Sequence, residues 1–510
     1  MFKNEVAEFI YKRTYSRWME DEGRREEWPE TIERFINFLV LKNGEKIPEK
    51  TVKKIRQYML EFAVMPSMRF LWSAGPAAEK DNTVIYNCSF AKLNCVEAFA
   101  ECLHILMCGT GFGFSVEEDE VSKLPSIPEI KSGKDIVREV IDDSREGWAD
   151  SVKILMTSLY DGQNLYFDYS QLRPEGARLS TMGGRSSGPQ PLIKLHDFIR
   201  ETMHNAQGRK LTSLECHDIA NQIAEIVVAG GVRRSSQISL SDLNDEDMRH
   251  AKDWPFPIRR AMANNSAIYR EKPAAADFLV EWGVLAKSGS GERGIFNLES
   301  AQNQAPARRY SSKIQGTNPC GEIMLRDMEF CNLSEVVIRE EDDLDSLLDK
   351  VETATWLGVL QSTFTDFPYL RKQWKKNCDV ERLLGVSLTG QMDNPIVMNS
   401  EALKALKSRV LRISRKASTL LDVNMPVSTT CVKPSGTVSQ LVDSASGCHP
   451  RYSQYYIRRY RIAATDPLLT MLKDQGVPCV PENGQDKDNA TTWVLEFPVK
   501  SPEGCMTRTD

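Results

Sequence analysis

Nowhere in these 510 residues do some eighteen apolar residues run together, about the length a helix needs to cross a bilayer. The opening stretch MFKNEVAEFIYKR carries charge throughout and lacks the apolar middle of a secretory leader. Both absences predict a cytoplasmic protein with no membrane partner. Histidine is scarce, six in the whole chain, and neither CxxC nor HExxH spacing occurs. The usual ligand sets of structural and catalytic zinc are therefore missing, and no metal is expected on protein ligands. A basic excess is absent too: the net charge is −6, which gives no overall attraction to nucleic acid or anionic lipid. No internal repeat, low-complexity tract or long linker divides the chain.

What is present is an ordinary soluble composition, 41% hydrophobic and 27% charged, on a chain long enough for a large core. Twelve cysteines without close pairs do not make a disulfide framework. In a reducing compartment most such thiols are small buried hydrophobes, so a functional one has to be singled out by its neighbours. Residues 1 to 75 read as a helical subdomain. NEVAEFIYKRTYSRWMEDEG keeps helical spacing up to Gly23, a candidate C-cap. EEWPETIERFINFLV restarts with Pro29 in its first turn, where a missing N–H costs little, and EKTVKKIRQYMLEFAV runs to Pro66.

Beyond that the periodicity changes. TVIYNCSFAKL, SQISLSD, GIFNLES, VSLTGQ and TTWVLEFPVK read as strands, separated by helical segments such as CVEAFAECLHILM and SLECHDIANQIAEIVVAGG. In the first of these helices Cys95 and Cys102 share a face with Phe99, Leu103 and Leu106 and are expected in the core. Strands alternating with helices predict an α/β fold with parallel pairing, and residues 76–510 read as one large domain.

One loop singles out its cysteine. In Asn318-Pro319-Cys320-Gly321-Glu322 an extended backbone would point Asn318, Cys320 and Glu322 the same way, with Pro319 stiffening the run and Gly321 allowing close backbone approach. A thiol between an amide and a carboxylate suits a polyhydroxylated substrate: the carboxylate takes a hydroxyl proton and the amide holds a neighbouring oxygen. Spacing alone fits a turn with an inert buried cysteine equally well. A cysteine–histidine nucleophile finds no recognisable signature around the six histidines. A second element, VKPSGTVSQLV at 432–442, makes a tight turn into a helix, a place where free N–H groups can hold phosphate. GTGFG at 109–113 follows a helix where a dinucleotide loop needs a preceding strand, so it carries little weight as a nucleotide loop.

Taken in order, YNCSF, GTGFGFSV, GGRSSGP, VAGGVRRSSQISLSD, ANNSA, TNPCGEI, FCNLSEV, KPSGTVSQL and LEFPVKSPEG resemble ribonucleotide reductase, most closely the adenosylcobalamin-dependent class II enzymes of the monomeric ribonucleoside-triphosphate type. That resemblance implies a ten-stranded α/β barrel behind an N-terminal helical subdomain, with the radical cysteine on a loop threaded through the barrel. It implies radical-based reduction of ribonucleotides, with triphosphates as the substrates, and adenosylcobalamin as the cofactor. Deoxynucleoside triphosphates would be the effectors, and a thioredoxin-like protein or small dithiol the reductant. Carried over by residue, Cys320 would be the thiyl-radical site, Glu322 the base at the 3′-hydroxyl and Asn318 a ribose ligand. Cys88 and Cys331 would be the reducing pair. Asn87 and Gly111 would lie near the ribose, Pro434, Ser435, Gly436, Thr437 and Val438 would hold phosphate, and Arg233 would belong to the loop that relays effector identity to the substrate base. The pair carries a physical condition: its Cα atoms must lie about 4.4–6.8 Å apart.

The resemblance also sets departures. No ATP-sensing region is expected ahead of the helical subdomain, and the barrel's last strands and the cysteine-bearing tail of relatives are expected to be missing after FPVKSPEGCMTRTD. A separate C-terminal fragment is therefore an expected partner, and a monomer is expected over a dimer. Two other readings stand beside the main one: a class I-type catalytic subunit that takes its radical from a partner protein, and a truncated, inactive nucleotide-binding remnant.

Overall fold

The protein is described from a computed structural model over residues 2–130, 138–177, 186–229, 236–464, 466–488 and 490–509. Three helices open the chain: α1 (Glu5–Thr14), α2 (Trp28–Asn43) and α3 (Glu49–Leu60). Asn4 caps α1 by accepting the Ala7 N–H at 2.8 Å, and Pro29 sits in the first turn of α2. The helix expected to reach Gly23 stops at Thr14. Trp18–Met19 and Arg24–Arg25 then pair as a small antiparallel hairpin whose turn holds Gly23 at φ +62°. The cause is Glu26. Its carbonyl accepts from Tyr11 and Ser16, while its carboxylate binds Arg34 (2.6 Å) and Thr31 (2.8 Å), so the chain must double back to satisfy it.

After β1 (Val64–Pro66), five strands run parallel: β2 (Cys88–Lys92), β3 (Gly111–Ser115), β4 (Gln237–Asp242), β5 (Ala263–Tyr269) and β6 (Gly294–Asn297). Helix α4 (Val96–Met107) connects β2 to β3, and α5 (Arg145–Tyr160), α6 (Gln190–Asn205) and α7 (Ser213–Ala229) lie between β3 and β4. Helix α8 (Ala275–Ser288) links β5 to β6. β2 and β3 are buried nearly throughout, as expected of parallel strands covered on both faces. Cys102 is in the core as expected, whereas Cys95 lies just ahead of α4, partly buried, with Arg371 donating to its sulfur.

A short hairpin follows, β7 (Gly316–Thr317) paired with β8 (Met324–Leu325), and then β9 (Glu329–Phe330), which lies antiparallel against β2. The chain leaves the first sheet at Cys331 and begins the second with β10 (Leu333–Val337), which pairs antiparallel with β1 and parallel with β11 (Gly385–Thr389). Helices α9 (Leu344–Ser362), α10 (Lys372–Glu381) and α11 (Ser400–Leu421) accompany this half. A single parallel bridge joins Val386 to Thr430, just before a short helix, α12 (Gly436–Leu441). Among the described residues β6 pairs only with β5, and Thr430 only with Val386. One cavity of about 560 Å³ is lined from both sides of this gap, by Phe296 and Asn297 and by Leu383, Ser428 and Thr430.

The chain finishes in a surface sheet of β12 (Tyr455–Ala463), β13 (Cys479–Pro481) and β14 (Thr492–Lys500), ordered β12-β14-β13 and antiparallel throughout. No helix of the described residues is long and apolar enough to cross a membrane.

Candidate active site

The hairpin β7–β8 lies across the inner face of the first sheet, and glycines let it come close. A Cβ on Gly113 of β3 would stand 2.4 Å from the Thr317 carbonyl oxygen, and one on Gly316 would stand 2.2 Å from the Phe90 ring. Phe90, Ile238, Leu240, Ile314, Ile323 and Leu325 pack into a second apolar core between sheet and hairpin. This core presses the tip, residues 318–322, against the end of β2.

The tip is a tight turn where the sequence predicted an extended run. The Gly321 N–H donates to the Asn318 carbonyl at 2.9 Å, with Pro319 and Cys320 as the central residues and Gly321 at φ +81°. A Cβ on Gly321 would meet nothing within 4 Å, so glycine serves the left-handed backbone here, and close approach plays no part. Asn318 and Glu322 still meet, because the turn folds them together: Asn318 Nδ2 donates to Glu322 Oε2 at 2.7 Å, and Asn318 Oδ1 accepts the Ile323 N–H at 2.9 Å. Asn318 is fully buried, while Cys320 is open to solvent at the apex.

Two further thiols complete the centre. The Cys331 N–H donates to the Cys88 carbonyl at 2.9 Å, continuing the β9–β2 ladder by one residue. Residues facing each other across such a ladder have Cα atoms about 4.5–5.5 Å apart, inside the range a relaxed disulfide needs. Both thiols are free. The Cys88 thiol thus lies between Cys331 across the ladder and the Cys320 turn beside it, and both sulfurs bear on its titration. Gly111, paired in register with Cys88, keeps the other flank clear, since a Cβ there would lie 3.3 Å from Cys88 Sγ and from Pro319 Cγ. Asn87 precedes Cys88 and accepts the Gly111 N–H through its carbonyl at 2.8 Å.

The electrostatics favour neutral thiols at Cys320 and Cys88. The Cys88 contact, burial and the Glu322 charge all push the Cys320 thiol well above its ordinary range. For Cys88 the Cys320 contact pulls downward, but the Cys331 contact and burial outweigh it. A hydrolytic cysteine needs the reverse, a depressed pKa beside a base. The fully buried histidines are engaged elsewhere: His104 with Asp81, His196 with Ser151 and Tyr169, His217 with Ser239 and Asn221. Burial raises Glu322 above the usual carboxylate range, partly offset by the Asn318 hydrogen bond and the Lys433 charge.

The turn 434–438 lies further along the second sheet. Ser435 and Val438 are buried, Pro434 and Gly436 exposed and Thr437 partly buried. Ser435 adopts φ +57° and donates its hydroxyl to Glu335 at 2.8 Å, and Glu335 is also ion-paired with Lys433. The sequence reading passed over Lys433 and Glu335. The signal was a carboxylate in the middle of the apolar run LSEVV, where charge is buried only with a partner. Arg233 lies outside the described residues.

Among the described residues one buried trio, Asp81, His104 and Cys108, brings three possible metal ligands together. Arg145 donates to Cys108 Sγ at 3.0 Å and Asp81 binds His104 Nε2 at 2.9 Å, so the atoms that could hold an ion are engaged with one another, while His104 Nδ1 has no hydrogen-bond partner among the described residues.

Comparison with known proteins agrees with this geometry. The family description "Ribonucleotide reductase alpha domain" matches residues 1–76, and "B12-dependent ribonucleotide reductase, insertion domain" matches residues 119–203, inside the span read from sequence as a single domain. The adenosylcobalamin-dependent ribonucleoside-triphosphate reductase of Lactobacillus gasseri is 30% identical over 98% of this chain and 80% of its own length. The corresponding enzyme of Lactobacillus leichmannii is 28% identical over 96% of this chain and 79% of its own. A crystal structure of a B12-dependent class II ribonucleotide reductase superposes with a TM-score of 0.81 at 25% identity, covering 97% of this chain and 81% of that one. The class Id alpha subunit of Actinobacillus ureae shares the fold at a TM-score of 0.55 and 14% identity, covering 93% of this chain and 79% of that one. The chain belongs to the adenosylcobalamin-dependent, class II family of ribonucleotide reductases.

Proposed function

We propose that this ribonucleotide reductase works on ribonucleoside triphosphates, with Cys320 carrying the hydrogen atom and Cys88 and Cys331 supplying the electrons. The observation that carries the reading is the meeting of Cys88 and Cys331 across the β9–β2 ladder, with the Cys320 turn packed beside Cys88 and the Asn318–Glu322 hydrogen bond next to it. Cys320, as a thiyl radical, takes the 3′ hydrogen of the ribose. Glu322 accepts the proton of the 3′-hydroxyl while Asn318 holds the hydroxyl oxygens. The 2′-hydroxyl leaves as water with a proton from the dithiol. Two electrons and two protons pass from Cys88 and Cys331, a hydrogen replaces the hydroxyl at C2′, and the sulfurs join as a disulfide. Cys320 then returns the hydrogen to C3′ and Glu322 its proton to the 3′ oxygen, which leaves Cys320 a thiyl radical again and Glu322 ionised. Neutral thiols suit each of these steps, since an S–H bond is broken homolytically or gives up a proton on demand.

The residues present suit the border of a corrin site, since the cavity beside the hairpin, about 560 Å³, has room for part of the cofactor only. A corrin brings its own equatorial nitrogens and needs from the protein an apolar wall, hydrogen-bonding groups and access to the radical cysteine. The cavity beside the hairpin offers Phe296, Ile314 and Leu383 with Asn297, Ser300 and Gln304, and Glu322 forms part of its wall. Adenosylcobalamin bound there would supply the initiating radical. Asn87 and Gly111 would border the ribose, the turn Pro434 to Val438 would take the phosphates, and Arg233 would answer to deoxynucleoside triphosphate effectors.

A thioredoxin-like protein or small dithiol is the proposed reductant and the monomer the working form, in the cytoplasm. The open edge of β6 and the exposed Phe278, Leu279 and Trp282 of α8 support a further partner, a separate strand-bearing polypeptide. Hydrogen exchange reads that last point: strong protection of the outward amides of 294–297 in the isolated chain would count against it. The central test is purified protein with adenosylcobalamin, a ribonucleoside triphosphate and dithiothreitol. Deoxynucleotide should form with wild type. Cys320→Ser should form none while binding substrate as before; product from Cys320→Ser would refute the assignment.

A further inference from the structure

Lys433 immediately precedes the turn 434–438. Its ammonium is buried and ion-paired with Glu335, whose side chain has no solvent exposure. The second oxygen of that carboxylate accepts the Ser435 hydroxyl at 2.8 Å. One carboxylate thus holds the two side chains that flank Pro434. A third tie comes from β11, where Ser387, in register with Glu335, accepts the Lys433 backbone N–H at 2.9 Å. Behind the turn, Ser446 donates to the Pro434 carbonyl at 2.8 Å.

A buried ion pair seldom stabilises a fold more than a well-packed apolar pair would, so its place in the middle of a strand calls for another account. Ser435 supplies one. It is a non-glycine residue in left-handed backbone, a conformation that persists only where its surroundings impose it. Glu335 also stands on the strand that begins two residues after Cys331, so it ties the turn to the segment bearing a reducing thiol.

We propose that Glu335 is a positioning residue for substrate phosphate: by gripping Lys433 and Ser435 it fixes the turn 434–438 in its phosphate-binding shape and in register with the dithiol strand. This rests on the substrate reading above, and the test separates the two. Binding of CTP and of cytidine is measured by equilibrium dialysis on wild type, Glu335→Gln and the double variant Glu335→Gln/Lys433→Met, with thermal melts alongside. The double variant leaves no unpaired buried charge, which separates positioning from damage to the fold. Both variants should bind CTP about tenfold or more weakly, bind cytidine like wild type and keep cooperative melts. CTP affinity within twofold of wild type in both variants would overturn the inference, as would equal losses for CTP and cytidine. Wild type that binds neither ligand would overturn the substrate reading and this inference with it.

Discussion

Glu322 carries opposed demands at a single side chain. Its burial holds the carboxyl above the usual range, so ionising it in the folded protein works against stability, and that cost grows as pH rises through the raised pKa. Catalysis asks for the ionised form. Activity should therefore fall on acidification at a higher pH than an ordinary carboxylate would give, and the acid limb of a kcat/KM profile checks this. Glu322→Gln should abolish reduction yet melt at or above the wild-type temperature at neutral pH, because the amide can keep the Asn318 contact without a charge. A clear drop in melting temperature would contradict that account. At Gly321 the Cβ of alanine would touch nothing, so Gly321→Ala isolates the left-handed backbone; it should cost about 1–2 kcal/mol in denaturant unfolding. Asn318, Cys320 and Glu322 were legible in the sequence as a chemical set, but the way they meet was not. Strand alternation points residues i and i+4 the same way about 13 Å apart, whereas the turn closed by Gly321 N–H to Asn318 O brings them into contact, and spacing alone does not tell the two apart.

Among the elements, the hairpin β7–β8 depends on the absence of side chains beneath it. Gly113→Ala would set a methyl 2.4 Å from the Thr317 carbonyl, an atom of the stem backbone that cannot swing aside. The variant should lose about 1–3 kcal/mol of stability and most of its turnover, because the tip is lifted from Cys88; a variant equal to wild type in both would show that the stem is not seated on β3. In the first sheet β2, β4 and β6 were legible as short runs bounded by turns, whereas β5, which opens Ala-Asn-Asn-Ser, carries no apolar pattern at its start and was not read as a strand. The stem of the hairpin was not: each of its strands is two residues long, too short for periodicity to register. The same limit hid the turn at Trp18–Arg25, where the buried Glu26 overrides a helical pattern. β12 was missed because its alternation, Tyr455 to Ala463, is carried by arginines and tyrosines that also suit an exposed helix.

For the molecule as a whole, two histidines set the acid limit. Burial depresses His196 and His217 to about 3, so the folded protein refuses protons that the unfolded chain accepts near pH 6.5. Stability should be intact above that pH and decline below it, by about 2 kcal/mol for each imidazole at pH 5. His104 acts in the opposite sense: burial disfavours its charge, but Cys108 and Asp81 outweigh that and hold it at about 10, so its contribution is full below pH 6.5 and drains away as pH rises from there to about 10. Urea titrations between pH 5 and 10 should show stability highest near pH 6.5 and declining on either side; stability unchanged from pH 7 to 5 would refute the assignment.

The placement of Cys88 and Cys331 opposite each other on adjacent strands has a consequence for the catalytic cycle. The backbone that carries the oxidised pair is the backbone that carries the reduced one, fixed by the Cys331 N–H to Cys88 carbonyl bond. Oxidation then needs only a rotation of two side chains, so the sheet keeps no record of which state it last occupied. A single turnover should remove two alkylatable thiols from the mass spectrum while leaving hydrogen exchange across β2 and β9 unchanged. On the proposed roles of these two thiols, repeated turnover would be paced by how quickly outside electrons reach the sulfurs.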